Sequence, residues 1–343
     1  MLFRSNWDAI PRGVKLATGL GLMLGMHGVG WWLREVRKDY CKTGEALHLG
    51  GSLMFLGNIA LVGQVYHLVS RPPNAFLLWW AGIAALPWLL RSEVQHLLAL
   101  LAFGIWFGME VNEQGSPIAF RDQSQVLVYA LLGLVYLGFG YVLRRGAFAS
   151  FAKVTERLGI LALLFFTYPL TWQGFLSGGH LETVGAHWVL PAVAVLAVTL
   201  AVLGAKNFIL DRQWRWTWAL TLSAAAGLLV VAFYAPNVQM EGWHHEFSPL
   251  NGFAALVLVL FCLLQIQVGL QERSTFLVNL GVVFIALDII AAYIGLFGTM
   301  AFTGMMFVVS GVFLIVFGVY LEKKRRKLMQ QIKVAKAGTE VQS

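Results

Sequence analysis

Charged residues are scarce in this chain: only 12% of its 343 residues are Asp, Glu, Lys or Arg, against roughly 25% in soluble globular proteins. Apolar residues make up 58%, and the mean hydropathy is +0.71. A chain with so little charge cannot cover a water-soluble globule of this size. The composition therefore predicts helices inserted into lipid and packed against one another, rather than a single water-excluded core.

Cysteine and the familiar catalytic motifs are also scarce. The chain has 2 cysteines, Cys41 in a predicted loop and Cys262 within an apolar run. They should lie at different depths, which predicts neither a disulfide nor a zinc framework. The sequence contains no Walker A glycine loop, no Gly-x-Ser-x-Gly elbow, no His-Glu-x-x-His and no Cys-x-x-Cys. These absences favour a protein that is not an enzyme and that needs no cofactor.

The chain has instead a succession of apolar segments. A hydrocarbon core of ~30 Å needs about 20 helical residues, and this criterion predicts about eleven spans: 13–33, 45–69, 75–90, 96–109, 126–143, 158–176, 188–205, 218–235, 250–270, 275–296 and 302–321. The third and fourth are short, so 75–109 forms either two full spans or a re-entrant pair, which would leave nine crossings. We predict an all-α, polytopic transmembrane helical bundle, with 1–321 as a single domain.

Basic residues occupy alternate gaps between these segments. Twenty of the 25 lysines and arginines lie in every second gap or in the tail. Loops rich in Lys and Arg stay in the cytoplasm because their translocation is unfavourable. The alternation predicts a polytopic helical membrane protein with its N-terminus outside and a basic cytoplasmic tail, 322–343.

The net charge of +8 is concentrated beside the spans. Attraction to anionic headgroups at the cytoplasmic face explains this placement better than nucleic acid does. Membrane lipids are therefore the predicted partners, and the sequence identifies no protein partner.

Glycine is abundant, at 36 of 343 residues, above the average of about 7%. Gly21 and Gly25 form a small-xxx-small pair, and Gly133, Gly138 and Gly140 crowd the fifth span. Small residues allow helix backbones to approach closely in lipid. We interpret most of these glycines as packing positions.

Asp288 is the one acid that the sequence places well inside a span, the tenth. A carboxyl at this depth is costly unless it pairs with a donor on a neighbouring helix, lines a wet cavity or is protonated. The sequence leaves open a purely structural hydrogen bond and a role in transport or proton relay.

The second span is the most polar, with His48, Asn58, Gln64 and His67. Gln64 and His67 are three residues apart, which would place both on one helix face. Such side chains serve either as hydrogen bonds between helices or as contacts for a solute.

The sixth span contains Tyr168, Pro169 and Gln173. A proline within a helix frees a backbone carbonyl and favours a kink, and broken helices with polar flanks coordinate solutes in many carriers. Together with the second and tenth spans, this segment completes the candidate polar membrane site: Gln64, His67, Tyr168, Gln173 and Asp288.

Histidines also occur on the predicted outer side. Imidazole and carboxylate can bind zinc or copper, yet the spacing of His244 and His245 matches no metal motif. We predict a solvated loop there, with these two histidines as weak metal candidates.

Three patches resemble an uncharacterised bacterial family of predicted integral membrane proteins, the domain of unknown function twenty-one fifty-seven. They are Asn6-Trp7-Asp8-Ala9-Ile10-Pro11-Arg12, then Gly63-Gln64-Val65-Tyr66-His67 with Trp79, and the ending from Thr303-Gly304 to Leu321-Glu322-Lys323. The positions that carry the family motifs are Asn6, Trp7, Pro11, Gln64, Tyr66 and His67. The resemblance implies a multi-pass protein of the bacterial inner (cytoplasmic) membrane, and it implies no activity, catalytic residue or ligand.

Two classes of function remain on sequence grounds. The polar candidates favour a carrier or channel for a small solute or lipid. The absence of a convincing repeat and of dense intramembrane charge favours a scaffold, sensor or envelope-assembly factor that transports nothing. A hydrated path through the polar side chains distinguishes the first class from the second.

Overall fold

The computed structural model describes residues 10–113, 115–119, 124–171, 184–209, 227, 249–297 and 304–340. Every regular element in these ranges is helical. The α-helices are α1 Arg12–Trp31, α2 Cys41–Tyr66, α3 Pro72–Ile83, α4 Leu86–Leu90, α5 Glu93–Asn112, α6 Ser124–Leu143, α7 Ala149–Thr167, α8 Val184–Ile209, α9 Pro249–Gln271, α10 Thr275–Phe297 and α11 Gly304–Glu340. A π-helix, Trp32–Arg37, extends α1, and a 3-10 turn, Tyr168–Thr171, extends α7.

The all-α prediction is confirmed for the described residues, and ten of the eleven predicted segments contain a helix. The segment 218–235 lies almost wholly outside these residues. Within the part of the chain that the structure describes, five helical segments are long and apolar enough to cross a membrane: Cys41–Tyr66, Pro72–Leu90, Glu93–Asn112, Gly252–Gln271 and Thr275–Tyr293. Two shorter apolar stretches are Val128–Leu143 and Ala192–Gly204.

The third and fourth predicted spans are longer in the structure than in the sequence analysis. The segment Pro72–Leu90 has 19 residues and Glu93–Asn112 has 20. A helix of about 20 residues matches the hydrocarbon thickness. Both segments are therefore long enough to cross, and the first of them consists of two helices, Pro72–Ile83 and Leu86–Leu90.

The chain divides into two compact units. Unit 1 comprises Met1–Ala119 and Leu143–Thr155, and unit 2 comprises Phe120–Val142 and Glu156–Ser343. The boundary passes through α7, whose first residues belong to unit 1 and the rest to unit 2.

In unit 1, glycines bring α1 and α2 into close contact. A Cβ at Gly30 would lie 2.9 Å from the Gly44 carbonyl oxygen, and one at Gly44 would lie 2.7 Å from the Gly30 carbonyl oxygen. Asn58 adds a hydrogen bond from its side-chain amide to the Gly19 carbonyl, at 3.1 Å. Asn58 therefore joins two helices, as one of the sequence alternatives predicts.

In unit 2, the antiparallel pair α9 and α10 is built in the same way. A Cβ at Gly269 would lie 2.9 Å from Val278 Cγ2, and one at Gly281 would lie 2.9 Å from the Cys262 carbonyl oxygen. Buried side chains of α6, α7, α9 and α10 form the core around this pair, among them Leu137, Leu163, Leu164, Leu258 and Phe261.

The packing role of glycine is confirmed at some predicted positions and wrong at others. A Cβ at Gly138 would meet Leu200 Cβ at 2.9 Å, so this glycine lies at a tight contact with α8. Gly21 and Gly25 have no atom within 4 Å of the added Cβ. On α1 the close contacts are made by Gly19 and Gly30 instead.

Three turns between helices contain a basic residue in the left-handed conformation: Lys38, Arg91 and Arg273, with φ of 61°, 47° and 51°. Glycine usually occupies such positions because it has no Cβ. A basic side chain compensates by placing positive charge against the negative end of the preceding helix. All three lie in gaps that the charge alternation assigns to the cytoplasm.

The C-terminal helix α11 has 37 residues and continues through the basic run after Leu321. Glu322 lies at the start of that run, where Arg325 and Arg326 contact it. The hydrogen bond from Arg326, with the charge of Arg325, lowers the pKa of Glu322 below its usual value.

Candidate functional site

Asp288 lies on α10 within unit 2 and is only 4% exposed. Its Oδ1 atom is buried and has no hydrogen-bond partner among the described residues. An unpaired buried polar atom costs free energy, about 1–3 kcal/mol. A group that remains in such a position calls for a functional explanation.

The Thr171 hydroxyl is the hydrogen-bonding neighbour of the Asp288 carboxyl. Thr171 Oγ1 also donates to the Tyr168 carbonyl, at 2.9 Å. A hydroxyl carries one proton, so with this proton on the carbonyl, Thr171 can only accept from Asp288. The site can therefore hold either state of the carboxyl: a protonated Asp288 that donates to Thr171, which is one of the alternatives that the sequence left open, or an ionised Asp288 to which Thr171 rotates and donates.

The break in α7 lies beside Asp288. The α-helix ends at Thr167, and one 3-10 turn follows, from Tyr168 to Thr171, with Pro169 at its second position. The Tyr168 hydroxyl donates to the Leu287 carbonyl on α10, at 3.0 Å. Tyr168 thus ties the broken end of α7 to the residue before Asp288, and the interruption expected from Pro169 is present.

Cys262, on α9, is fully buried and lies close enough to interact electrostatically with Asp288. We define the Asp288 site as Tyr168, Thr171, Cys262 and Asp288. Elsewhere on α9, Gln265 is 1% exposed, and neither atom of its amide has a hydrogen-bond partner among the described residues.

Gln64 and His67 lie in unit 1, and the expectation that they share one helix face is wrong. Helix α2 ends at Tyr66, and His67 follows in the left-handed conformation with φ 51°. The side chains of Gln64 and His67 are both exposed. The apolar pattern extended the predicted span to residue 69, whereas the helix ends at Tyr66 and the backbone changes direction at His67.

The remaining predicted positions fall in three groups. Tyr66 is exposed at the end of α2, and Pro11 is exposed where it precedes α1. Cys41 is exposed and Cys262 is buried, and both are free thiols in the structure. Asn6, Trp7, Gln173, His244 and His245 lie outside the described residues.

Unit 1 contains a second polar region, which the sequence indicated only in part. His48 Nδ1 and His27 Nδ1 are 3.0 Å apart across α1 and α2. Ser52 Oγ donates to Gln95 Oε1 on α5 at 3.0 Å, and Trp79 Nε1 donates to the Ser52 carbonyl at 2.8 Å. The prediction that His48 joins helices is thereby confirmed.

The same unit buries His96, which reaches Thr155 Oγ1 at 2.8 Å and stacks on Phe151 with ring centroids 4.6 Å apart. Sequence reasoning missed Gln95, His96 and Thr155, since it placed all three at or beyond the ends of spans. The available signal was on α2, where Glu45, His48 and Ser52 are spaced i, i+3 and i+7 and so place polar side chains on one helix face.

The chemistry of the Asp288 site is that of proton exchange and of hydrogen bonding to a polar solute. A carboxyl, two hydroxyls and a thiol lie among apolar side chains, where electrostatic interactions are strong. The described residues contain no cluster of three or more His, Cys, Asp or Glu placed to hold a metal ion.

A family described as "Predicted membrane protein (DUF2157)" matches residues 1–96. This is the family that the sequence motifs resemble, and the match covers α1 to the start of α5. No curated protein and no solved structure matches the chain.

Proposed function

We propose that this protein is a carrier of a small polar solute in the bacterial inner membrane, with Asp288 as its proton-exchanging group. The proposal includes about eleven spans, an outer N-terminus and a cytoplasmic tail, as the alternation of basic residues predicts. We propose no enzyme activity for this carrier.

The observation that carries the proposal is the coincidence of a buried acid and a helix break. Asp288, with Oδ1 unpartnered, lies beside the 3-10 turn Tyr168–Thr171. Membrane carriers bind solutes where interrupted helices present backbone groups and polar side chains to a cavity. An acid placed only for stability would be expected to have all its hydrogen bonds filled.

A proton at Asp288 gives the site two states. With the carboxyl protonated, Thr171 accepts and its own proton stays on the Tyr168 carbonyl. With the carboxyl ionised, Thr171 must rotate and donate to it, which releases that carbonyl in the broken segment. Loss of the proton thus changes the hydrogen bonding of the 3-10 turn, where a solute would bind.

Proteoliposomes test this function directly. The purified full chain is reconstituted with a pH-sensitive dye inside, and amino acids, organic acids, sugars and inorganic ions are added one at a time under a clamped membrane potential. We expect at least one solute to change the internal pH with the natural chain and not with Asp288→Asn. Asp39→Asn, which removes an exposed acid in a loop, is the matched control.

If every solute leaves the internal pH unchanged in vesicles that contain correctly folded protein, the carrier proposal is wrong. A scaffold, sensor or envelope-assembly factor then becomes the better account.

A further inference from the structure

Unit 1 contains three buried side-chain nitrogens without a hydrogen-bond acceptor among the described residues: Arg34 Nη1, His48 Nε2 and Gln95 Nε2. His48 is 3% exposed and Gln95 is 1% exposed. The arginine and amide nitrogens can only donate, and the His48 Nε2 atom donates whenever Nδ1 accepts from His27. These three nitrogens therefore lack a hydrogen-bond acceptor, and a ligand that carries acceptors would satisfy them.

The three donors belong to elements that meet at one end of unit 1. A Cβ at Gly44 would lie 3.0 Å from Arg34 Cβ, and one at Gly30 would lie 3.3 Å from His48 Cδ2, so Arg34 and His48 lie on adjacent turns of the α1–α2 contact. Ser52, one turn after His48 on α2, holds the Gln95 side chain through its amide oxygen. This bond leaves the Gln95 amide nitrogen free.

The N-terminus of α5 lies at the same end. Ser92 caps this 20-residue helix by accepting from the Gln95 backbone N–H, at 3.3 Å. The first turn of a helix carries partial positive charge and unsatisfied N–H groups, which favour an anion. The buried and unpartnered amide of Gln95 is the independent observation that points to a ligand there.

Acidic side chains in the region are already engaged. Glu45 accepts a short hydrogen bond from Ser92 Oγ, and Glu35 pairs with Arg34 Nε at 3.5 Å. Arg34, Glu35 and Glu45 all act electrostatically on His48. Arg37, Lys38, Lys42 and Arg91 lie in the adjoining turns, so positive charge dominates this end of the unit.

We propose that Arg34, His48 and Gln95 form a binding site for the phosphate of an anionic lipid headgroup. Phosphate oxygens supply several acceptors and a negative charge to donors that otherwise have none. His48 and Gln95 lie within about two turns of the starts of α2 and α5, and the gaps before both helices are among those that the alternation of basic residues assigns to the cytoplasmic surface. This site is separate from the Asp288 site and does not rest on the carrier proposal.

Calorimetric titration of the delipidated full chain in detergent tests the site. The probe is dihexanoyl phosphatidic acid, and dihexanoylglycerol, which lacks only the phosphate, is its matched control. We expect saturable binding of the first and none of the second. Gln95→Leu should weaken binding about tenfold or more, because a charged hydrogen bond is lost.

Two further variants keep the proposal falsifiable. Glu45→Gln removes a competing negative charge and should tighten binding. Arg34→Gln keeps a long side chain and should weaken binding, and it serves as the test if Gln95→Leu does not fold. Gln330→Leu removes an exposed amide on α11 and should change nothing. Equal binding of the two lipids, or unchanged affinity in folded Gln95→Leu and Arg34→Gln, would overturn the site.

Inorganic phosphate distinguishes the source of the ligand. Weaker binding of inorganic phosphate than of phosphatidic acid, with the same dependence on Gln95, supports a lipid headgroup. Binding of inorganic phosphate as tight as that of the lipid would overturn the lipid assignment and identify a site for soluble phosphate.

Discussion

Gly133 on α6 and Gly159 on α7 face each other across a tight helix crossing in unit 2. A Cβ at Gly133 would lie 2.9 Å from the Gly159 carbonyl oxygen, and one at Gly159 would lie 2.7 Å from the Gly133 carbonyl oxygen. Real side chains almost never approach backbone this closely. The two helices can therefore pack in this way only while both positions remain glycine.

Replacing Gly159 by alanine should separate α6 from α7. The new methyl group would lie 2.6 Å from the Leu137 backbone nitrogen, which cannot move independently of its helix. Overpacking of this kind costs about 1–3 kcal/mol. Thermal unfolding in detergent measures the effect, and we expect a clear fall in Tm.

Gly21→Ala is the matched control, because an added Cβ there has no atom within 4 Å. Its Tm should stay unchanged or rise slightly, since alanine favours a helix over glycine. Equal Tm values for Gly159→Ala and Gly21→Ala would argue against the α6–α7 crossing.

The apolar helices of unit 2 could be predicted closely from the sequence. Segments 250–270 and 275–296 correspond to Pro249–Gln271 and Thr275–Phe297. Glu272 and Arg273 interrupt the apolar run there, so hydropathy alone locates the turn. The start of α5 was predicted late because Glu93, Gln95 and His96 look like loop residues until a partner buries them.

The candidate site could be predicted only where a single residue carries the signal. Asp288 is conspicuous as an acid within an apolar run, and Pro169 marks a helix break. Thr171 is unremarkable in sequence, and it matters because the fold brings the 3-10 turn after α7 next to Asp288. His67 was wrongly predicted to lie within the helix, because hydropathy does not report the left-handed backbone conformation that ends α2.

The proposed topology predicts which thiols react from outside the cell. Cysteines introduced at positions 182 and 244, in a Cys41→Ser background, should react with an impermeant thiol reagent in cells with a permeabilised outer membrane. The natural Cys41, which is exposed in the structure and lies in a basic turn, should react only after lysis. The reverse pattern would invert the orientation.

Substitutions of Asp288 should separate stability from activity. Asp288→Leu removes a buried carboxyl whose Oδ1 has no partner among the described residues, and Thr171 keeps its bond to the Tyr168 carbonyl. Tm should therefore hold or rise, while solute-driven pH change is lost in both Asp288→Leu and Asp288→Asn. A large fall in Tm for Asp288→Leu, with pH change retained in Asp288→Asn, would indicate a structural role instead.

Infrared difference spectroscopy reports the proton at Asp288. We expect a carbonyl band of a protonated carboxylic acid in the natural chain and its absence in Asp288→Asn. Thr171→Val, which removes the acceptor oxygen, should shift this band, and Thr171→Ser should restore its position. A band that is insensitive to Thr171→Val would contradict the hydrogen bond between the two residues.

The central claim is that solvent reaches the Asp288 site during function, and Cys262 tests it most directly. In the Cys41→Ser variant Cys262 is the only thiol, and in the structure it is fully buried beside Asp288. We predict that a small, water-soluble, charged thiol reagent modifies Cys262 slowly in folded protein in native membranes, because a carrier must open its site to water. No modification of folded protein, with complete modification after unfolding in detergent, would contradict the account and indicate a dry bundle.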